Sequence, residues 1–572
     1  MNAAIGIARR ELAVLMRRVG RGTLVVLAAA ASLVLAGIGR KPFQADEAYI
    51  VMFSRWPLGE LLAAVRSDVT PPLHFVALRL WGVALADGVA SLRVFSAACV
   101  VGSVAMTILL GTATLGRRGG LLAGAMLAGL PLVVSYGQVV KPNSLGMLLA
   151  VALAYAGLRA CRGAAGWSAW LLVAVLFAAV LYGYYLAAFI ACALVAFPAL
   201  WSRTPRRDTV RMVLALMFGG LLFLPWVPSV LRQMSTTVAA PTAEVGVRNA
   251  KLDALPAVVA GDSAASPARS LIEHLKSAVK RRPALRMAVE LLVGQRPLAV
   301  DRQSGDRAPL PLVLLSLAAL SAAAAAYLGA FGALLRSVRR LAPASLAFAT
   351  LSLVPLVMIG LTLELMYLGR SLAVDYLTPH HFLWLLPFVC LLTASGLEHL
   401  PGRAGVLLAA LLVGANLVQT VGWYRAWSPD SRAAAAYLER HWRPGDTMLL
   451  EAWSGLDIRV YQQDRLASMS YVNYEQYPWA RTRVGASREV GVLRGQRLVT
   501  SDSLNASAVE QDVDAALSSA AVRRVWSVTI DAPPDDVRVP YTRLYRDVLS
   551  RLARGVAEAH FDGMSVGLYV VP

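Results

Sequence analysis

The chain has 572 residues, of which 57% are hydrophobic and only 16% charged, and its mean hydropathy is +0.57. A soluble globular chain is about 45–50% apolar and about 25% charged, so this composition excludes a cytosolic enzyme, a disordered protein and a secreted disulfide scaffold. The formal net charge is +20, yet residues 425–572 hold 18 Arg, no Lys and 18 acidic residues, so the whole excess lies in residues 1–424. A nucleic-acid binder carries such an excess on a soluble face. Here the basic residues lie between apolar runs, as in the cytoplasmic loops of membrane proteins, and no nucleic-acid partner is expected.

Apolar runs near the ~20-residue length of a spanning helix occur at 22–39, 89–115, 119–137, 144–160, 167–182, 185–201, 209–231, 309–335, 344–367, 382–398 and 404–424. The expected fold is therefore an α-helical polytopic membrane domain of about eleven spans over residues 1–424. The first run follows basic residues, as a signal peptide would, but no small-residue cleavage site follows it, which favours an uncleaved first helix. Arg9, Arg10, Arg17, Arg18 and Arg21 precede it and put the N-terminus in the cytoplasm. Alternation then places the clusters at Arg117/Arg118, Arg159/Arg162, Arg203/Arg206/Arg207, Arg336/Arg339/Arg340 and Arg403 on the same side. The ratio of 50 Arg to 5 Lys suggests a GC-rich bacterial genome, hence a bacterial inner membrane. The four cysteines include no CxxC pair, so neither a zinc knot nor a disulfide framework is expected.

Three sizeable segments fall outside the membrane in this topology: 40–88, 232–308 and 425–572. In the second, Leu271, Leu275 and Val279 recur at helical spacing within Ser270–Arg282. This is either an amphipathic helix on the bilayer surface or a solvated helix packed on the outer domain. The third reads as a soluble α/β domain. Its expected elements are a helix at Ala433–Arg440, strands at Thr447–Glu451, Val522–Ile530 and Met564–Val571, and a helix at Tyr541–Ala557 behind Pro540. No GxGxxG and no P-loop occurs, so no nucleotide cofactor is indicated.

Chemistry concentrates at the outer boundary. Gln44-Ala-Asp46-Glu47-Ala-Tyr49 opens the first outer segment. Two adjacent carboxylates there are costly unless solvated, paired or metal-bound, and neighbours in sequence do not share a helix face. One can face a reaction while the other binds a cation or a donor; both can equally be solvated loop acids. Ser67-Asp68-Val-Thr-Pro71-Pro72-Leu-His74 supplies a third carboxylate, Asp68, and with Asp46 it offers the oxygen ligands that Mg or Mn prefers. His74 alone reads as a packing or hydrogen-bonding residue. Arg93, near the outer end of the second span, can snorkel or hold an anion. The turn Val134-Ser-Tyr136-Gly-Gln138-Val-Val-Lys141-Pro142-Asn143 carries one of the five lysines, all of which, Lys41 included, fall in outer segments. Such a lysine binds phosphate as a point charge or anchors at the interface. Asp375-Tyr-Leu-Thr-Pro-His380-His381 adds a polar cluster at the same level.

In order and spacing these segments resemble the GT-C superfamily of membrane glycosyltransferases, closest to the bacterial glycosyltransferase family 39 group, with protein O-mannosyltransferases and lipid A aminoarabinose transferases as relatives. Asp46-Glu47 matches the family's Asp-Glu pair, and Thr70-Pro71-Pro72-Leu73-His74-Phe75 looks like its Pro-Pro-Leu-Tyr segment. Leu92-Arg93-Val-Phe-Ser96-Ala97 resembles Leu-Arg-Leu-Pro-Ser-Ala, and Tyr136-Gly-Gln138-Val-Val-Lys141-Pro142 resembles the Tyr-Ser-Gln-Glu-Ala-Arg-Pro turn. Leu181-Tyr182-Gly-Tyr184-Tyr185 is similar to the Tyr-Thr-His-Tyr turn, and Tyr437-Leu438 with Arg443-Pro-Gly-Asp446 resembles the start of the outer domain. This chain departs from the pattern at Val139, Lys141 and Tyr184, where an acid, an arginine and a histidine are usual. His380 and His381 stand where an arginine often occurs.

The resemblance implies an inverting transfer from a polyprenyl-phosphate-linked sugar to an extracytoplasmic glycan, lipid or protein. Asp46 would be general base, with Glu47 or Asp68 orienting the acceptor or a cation. Lys141, Arg93, His380 and His381 would surround the donor phosphate, with Lys41, His74, Tyr136, Gln138 and Tyr184 as further pocket residues. A multi-pass transporter or lipid flippase with an outer accessory domain is the alternative. It leaves the neutral outer domain unexplained and calls for internal repeats, which the sequence lacks.

Overall fold

The computed structural model describes residues 20–66, 70–162, 166–200, 206–239, 343–368, 379–400, 403–425, 428–444, 446–450, 523–531 and 539–571, with isolated positions in 315–332, 458–461 and 510–517. The Ser270–Arg282 segment lies outside the described residues, as does most of the 309–335 run.

The first apolar run forms α1 (Arg21–Leu35). Three helices follow, α2 (Ala45–Arg55), α3 (Leu58–Val65) and α4 (Leu73–Ala84), and they fold on one another. Pro57, Pro71 and Pro72 separate these helices, since proline removes an N–H donor and disfavours helix in the residue before it. Phe43, Phe53, Leu61, Phe75, Leu78, Leu92 and Trp226 make a small apolar core under them, distinct from that of the bundle.

The bundle continues through α5 (Val89–Leu115), α6 (Arg117–Gly129), α7 (Pro131–Gly137), α8 (Pro142–Arg162) and α9 (Trp167–Gly183). A 3₁₀ turn Tyr185–Phe189 leads into α10 (Ile190–Leu200). Then come α11 (Arg206–Phe223), a 3₁₀ turn Leu224–Trp226, and α12 (Val227–Ala239). After the gap come α13 (Pro343–Leu368), a 3₁₀ stretch Pro379–Leu385, α14 (Leu386–Glu398) and α15 (Ala404–Arg425). Close approach is sequence-coded where α5 meets α6. A Cβ at Gly111 would stand 2.7 Å from the Gly120 backbone, the small-residue contact typical of membrane helices.

The expected 119–137 span is broken: α6 and α7 meet at 65°. Leu130 is extended (φ −68°, ψ 125°) before Pro131, which opens the new helix at its first position. Five described helical stretches are long and apolar enough to cross a bilayer, or six if this bent pair is one span. Pro379–Glu398 lies at the centre of the bundle, with 89% of its apolar window buried, against 33% for α15. Val406, Leu407, Val418 and Val421 on α15 and Leu214, Met217 and Phe218 on α11 are exposed. An apolar surface of that extent fits lipid rather than water.

The C-terminal part holds a four-stranded sheet of order β1-β2-β4-β3, with β1 (Thr447–Leu450), β2 (Arg524–Ile530), β3 (Arg554–Phe561) and β4 (Met564–Val570). β1 and β2 are parallel, and the other pairs are antiparallel. α16 (Ser431–His441) packs Ala434, Ala435 and Leu438 on one face against Met448, Trp526 and Val528. α17 (Val539–Leu552) packs Tyr545, Val548 and Leu549 on the other against Leu449 and Val525.

The expected Tyr541–Ala557 helix ends early, and β3 takes its last residues. Asp562-Gly563, with Gly563 at φ 69°, closes a hairpin between β3 and β4. An Asp-Gly pair flanked by strand-forming residues is a strong local hairpin signal. Pairing along the whole of β4 outweighs helical continuation.

Asp446, 4% exposed, closes the turn before β1. It accepts from Arg443 N (3.0 Å), Arg524 Nε (2.8 Å) and Trp526 Nε1 (2.7 Å). Arg524 Nη2 also donates to it at 3.3 Å, so Asp446→Ala strands four donor groups on three residues and is expected to cost this sheet about 3 kcal/mol. Trp526→Phe, which removes one bond, is expected to cost about 1 kcal/mol. Thermal melting followed by limited proteolysis of the C-terminal part measures both.

Candidate active site

The site is built on a buried ion pair. Arg93 on α5 reaches Glu47 in the first turn of α2, with Nε 2.9 Å from Oε1 and Nη2 2.7 Å from Oε2. Their side chains are 3% and 1% exposed. Arg93 also donates from Nη1 to the carbonyls of Ile38 (3.0 Å) and Lys41 (2.7 Å), and from Nη2 to that of Pro42 (2.8 Å). Its five N–H groups are thereby all used, and none remains for the donor phosphate that the sequence led one to expect there. Glu47 is equally saturated. Oε1 accepts from Val140 N (2.9 Å) and Oε2 from Gln44 N (3.1 Å), the latter being the reciprocal half of a capping box.

Asp46 precedes Glu47 in the same first turn of α2. The positive end of the helix dipole favours a carboxylate at that position. Asp68 lies outside the described residues. No group of three or more His, Cys, Asp or Glu that could hold a metal gathers among the described residues.

Two cavities adjoin the α2 N-terminus and share Gln44, Val139 and Trp423 as walls. The first, of about 180 Å³, is bordered by Ser135, Tyr136, Lys141 and Gln419. Its surround joins several expected residues. Lys141 Nζ lies 5.8 Å from the Tyr136 ring centroid, and the His380 ring stacks on Tyr136 at 5.3 Å. His381 lies beside His380, with ring centroids 4.2 Å apart. Asn143 Nδ2 donates to His380 O (2.7 Å) and to the Tyr184 hydroxyl (3.1 Å), and that hydroxyl donates to His381 O (3.1 Å). Tyr184 thus pins the histidine segment to α8.

The second cavity, of about 250 Å³, is bordered by Arg40, Lys41, Arg93, Gln138 and Tyr424. Lys41 Nζ donates to Trp423 O (2.6 Å) and sits 4.0 Å from the Trp423 ring centroid. The Gln138 carboxamide donates to Val34 O (3.1 Å) and Ala36 O (2.8 Å), covering carbonyls left open at the end of α1. The Gln138 carbonyl accepts the Trp423 indole N–H at 2.9 Å. Gln138 therefore joins α1, the α7–α8 turn and α15.

His74 stands apart from both cavities. It is fully buried beside the small core under α2–α4, with Phe95 5.7 Å away, and neither ring nitrogen has a partner among the described residues. Sequence reasoning missed Arg40, Gln44, Ser135, Gln419 and Trp423. Trp423 and Gln419 sit one turn apart at the end of an apolar run, a weak local signal.

The C-terminal part touches this region directly. Phe43 N donates to the Tyr461 hydroxyl (2.9 Å) and the two rings stack at 5.9 Å. Arg432 donates to Gly39 O (3.0 Å) and Arg55 to Val460 O (2.8 Å).

A sequence profile of the family described as dolichyl-phosphate-mannose-protein mannosyltransferase matches residues 69–231. The match takes in the Pro71-Pro72, Arg93, Tyr136–Pro142 and Tyr184 segments but begins beyond Asp46-Glu47. The fold resembles ArnT from Cupriavidus metallidurans bound to undecaprenyl phosphate, with a TM-score of 0.53 at 12% identity over 96% of this chain and 97% of that one. It also resembles the Archaeoglobus fulgidus oligosaccharyltransferase tethered with an acceptor peptide, at 0.51 and 11% identity over 96% of this chain and 74% of that one. No curated protein matches the sequence. The likeness to GT-C glycosyltransferases is thus found in a sequence profile and in the fold.

Two predictions follow from this geometry. Arg93→Leu leaves a buried carboxylate unpaired and is expected to lower stability by about 3–5 kcal/mol, read as a fall in melting temperature in detergent. Burial pushes the His74 ring from 6.5 down to about 3. Between those values the unfolded chain binds a proton that the folded chain refuses, so stability is complete above pH 6.5 and falls as pH drops through the window. His74→Leu should flatten that fall in melting temperature between pH 7 and 4.5, and an unchanged slope would rule His74 out as its source.

Proposed function

We propose that this protein is an inverting glycosyltransferase that moves a sugar from a polyprenyl-phosphate donor to an extracytoplasmic acceptor. The observation that carries the reading is the placement of α2. Its N-cap residue Gln44 borders both cavities, and Asp46 follows two residues later in the first turn. A two-substrate reaction needs two adjoining sites and a base between them. The profile match and the fold likeness support the class, and the undecaprenyl phosphate bound by ArnT supports the donor type.

In this reading the acceptor hydroxyl attacks the anomeric carbon in line. The bond from that carbon to the phosphate oxygen breaks, polyprenyl phosphate leaves, and Asp46 takes the hydroxyl proton. Lys141, with Tyr136, His380 and His381, borders the donor phosphate and offsets the charge that develops on it. Glu47 and Arg93 hold α2 in place instead of meeting substrate. A Mg or Mn ion, if used, would be held by Asp46 and Asp68. The reading places the protein in a bacterial inner membrane with about eleven spans and a cytoplasmic N-terminus. Residues 425–572 would form an outer domain covering the site through Tyr461.

The test is transfer by the purified chain in nanodiscs, with radiolabelled polyprenyl-phosphate sugars and membrane extract as acceptor. Asp46→Asn is expected to lower release of polyprenyl phosphate by about a hundred-fold or more with an unchanged melting temperature. Full activity in that variant would overturn the mechanism. Lys141→Ala is expected to raise the donor KM and lower kcat by about a hundred-fold.

A further inference from the structure

Gln44, Val139 and Trp423 each border both cavities beside the α2 N-terminus. Residues that wall two spaces at once stand between them. Val139 contributes only a short branched side chain there. Gln44 belongs to the chain entering α2, which Glu47 Oε2 holds through Gln44 N at 3.1 Å. Trp423, in the last turn of α15, is the bulkiest of the three and the only aromatic one.

The indole is held at several points. Its N–H donates to Gln138 Oε1 at 2.9 Å. A flip of the Gln138 amide would break that bond, and the flip is opposed because Nε2 is spent on the Val34 and Ala36 carbonyls. Lys41 Nζ sits 4.0 Å from the ring centroid and also donates to Trp423 O at 2.6 Å. A cation thus covers the ring while its hydrogen bond fixes the backbone beneath it. The next residue, Tyr424, donates to Leu33 O and ties the same turn to the end of α1. These contacts keep the ring in one rotamer.

We propose that Trp423 is a specificity-determining partition: it keeps the water of the second cavity from the donor in the first, so that a seated acceptor hydroxyl is what attacks. The inference rests on the transferase reading above. In that reading Lys141 places the donor phosphate in the first cavity, and the second, bordered by Arg40, Lys41 and Gln138, takes the acceptor. Cavities of about 180 and 250 Å³ each hold several waters. The base that takes a proton from an acceptor hydroxyl can also take one from water. In that side reaction the water oxygen bonds to the anomeric carbon, the bond from that carbon to the phosphate oxygen breaks, and Asp46 takes the proton. Free sugar and polyprenyl phosphate result. Suppressing such hydrolysis by excluding water is a general requirement of transfer sites. The acceptor hydroxyl enters past the ring on the Gln44 side, two residues before Asp46, and the bound acceptor itself fills the route that water would take.

The experiment is turnover of radiolabelled polyprenyl-phosphate sugar by the purified full chain in nanodiscs, with and without membrane extract as acceptor. Free sugar measures hydrolysis, and sugar in the acceptor fraction measures transfer. In Trp423→Ala the ratio of hydrolysis to transfer should rise by about ten-fold, the effect of roughly 1.4 kcal/mol between the two barriers. Trp423→Leu gives the same test should the alanine variant fail to fold by its melting temperature. Trp423→Phe keeps a ring in the gap, gives up the bond to Gln138, and should leak less than either. A ratio unchanged in a folded Ala or Leu variant, or raised as much in Trp423→Phe, would overturn the partition and leave the transferase reading standing. Neither product from the wild type, across the donor panel, would overturn that reading and the partition with it.

Discussion

The rest of the site depends on one buried ion pair. Glu47 and Arg93 belong to different helices, and neither tolerates burial alone, since the effective desolvation cost is several kcal/mol per ion. Between them they bind α2, α5, the chain leaving α1 at residues 38–42, and the peptide N–H of Val140 just before Lys141. A shift in any of these would leave a charged atom without a partner. The pair therefore fixes the distance between the first turn of α2 and the Lys141 turn, the two elements that carry the expected chemistry. Because its own donors and acceptors are consumed in doing so, it has nothing left to offer a ligand.

Around that pair, the cavity residues come from places where helices are interrupted. Lys141 precedes Pro142, His380 follows Pro379 in a 3₁₀ stretch, Tyr184 caps α9, and Tyr136 lies in the short helix that Pro131 starts. In an apolar medium an interruption exposes backbone groups that must find other partners. Here side chains supply them. Gln138 covers the end of α1, and Asn143 and Tyr184 take the carbonyls of His380 and His381. The breaks turn polar groups toward the cavities, and the covering bonds keep them in one conformation.

The C-terminal part contacts this centre. Through Tyr461, Val460 and Arg432 it touches the chain on both sides of Phe43, three residues before Asp46. These contacts stabilise the geometry of the centre.

Composition and local pattern determined the membrane class, the positions of most described helices and three of the four described strands, and they marked the polar segments in which Asp46, Lys141 and His380 lie. These follow from apolar length, periodicity and proline, which act within a few residues. Tertiary structure alone decided that Arg93 pairs with Glu47, 46 positions away, and that Gln138 joins α1, the α7–α8 turn and α15. It also decided that His74 is sealed in an aromatic core, that α2, α3 and α4 form between residues 45 and 84, and that residues 554–561 pair as a strand. Each of these depends on which surfaces meet, and a buried charge or an open strand edge selects its partner only once the packing has brought that partner within reach.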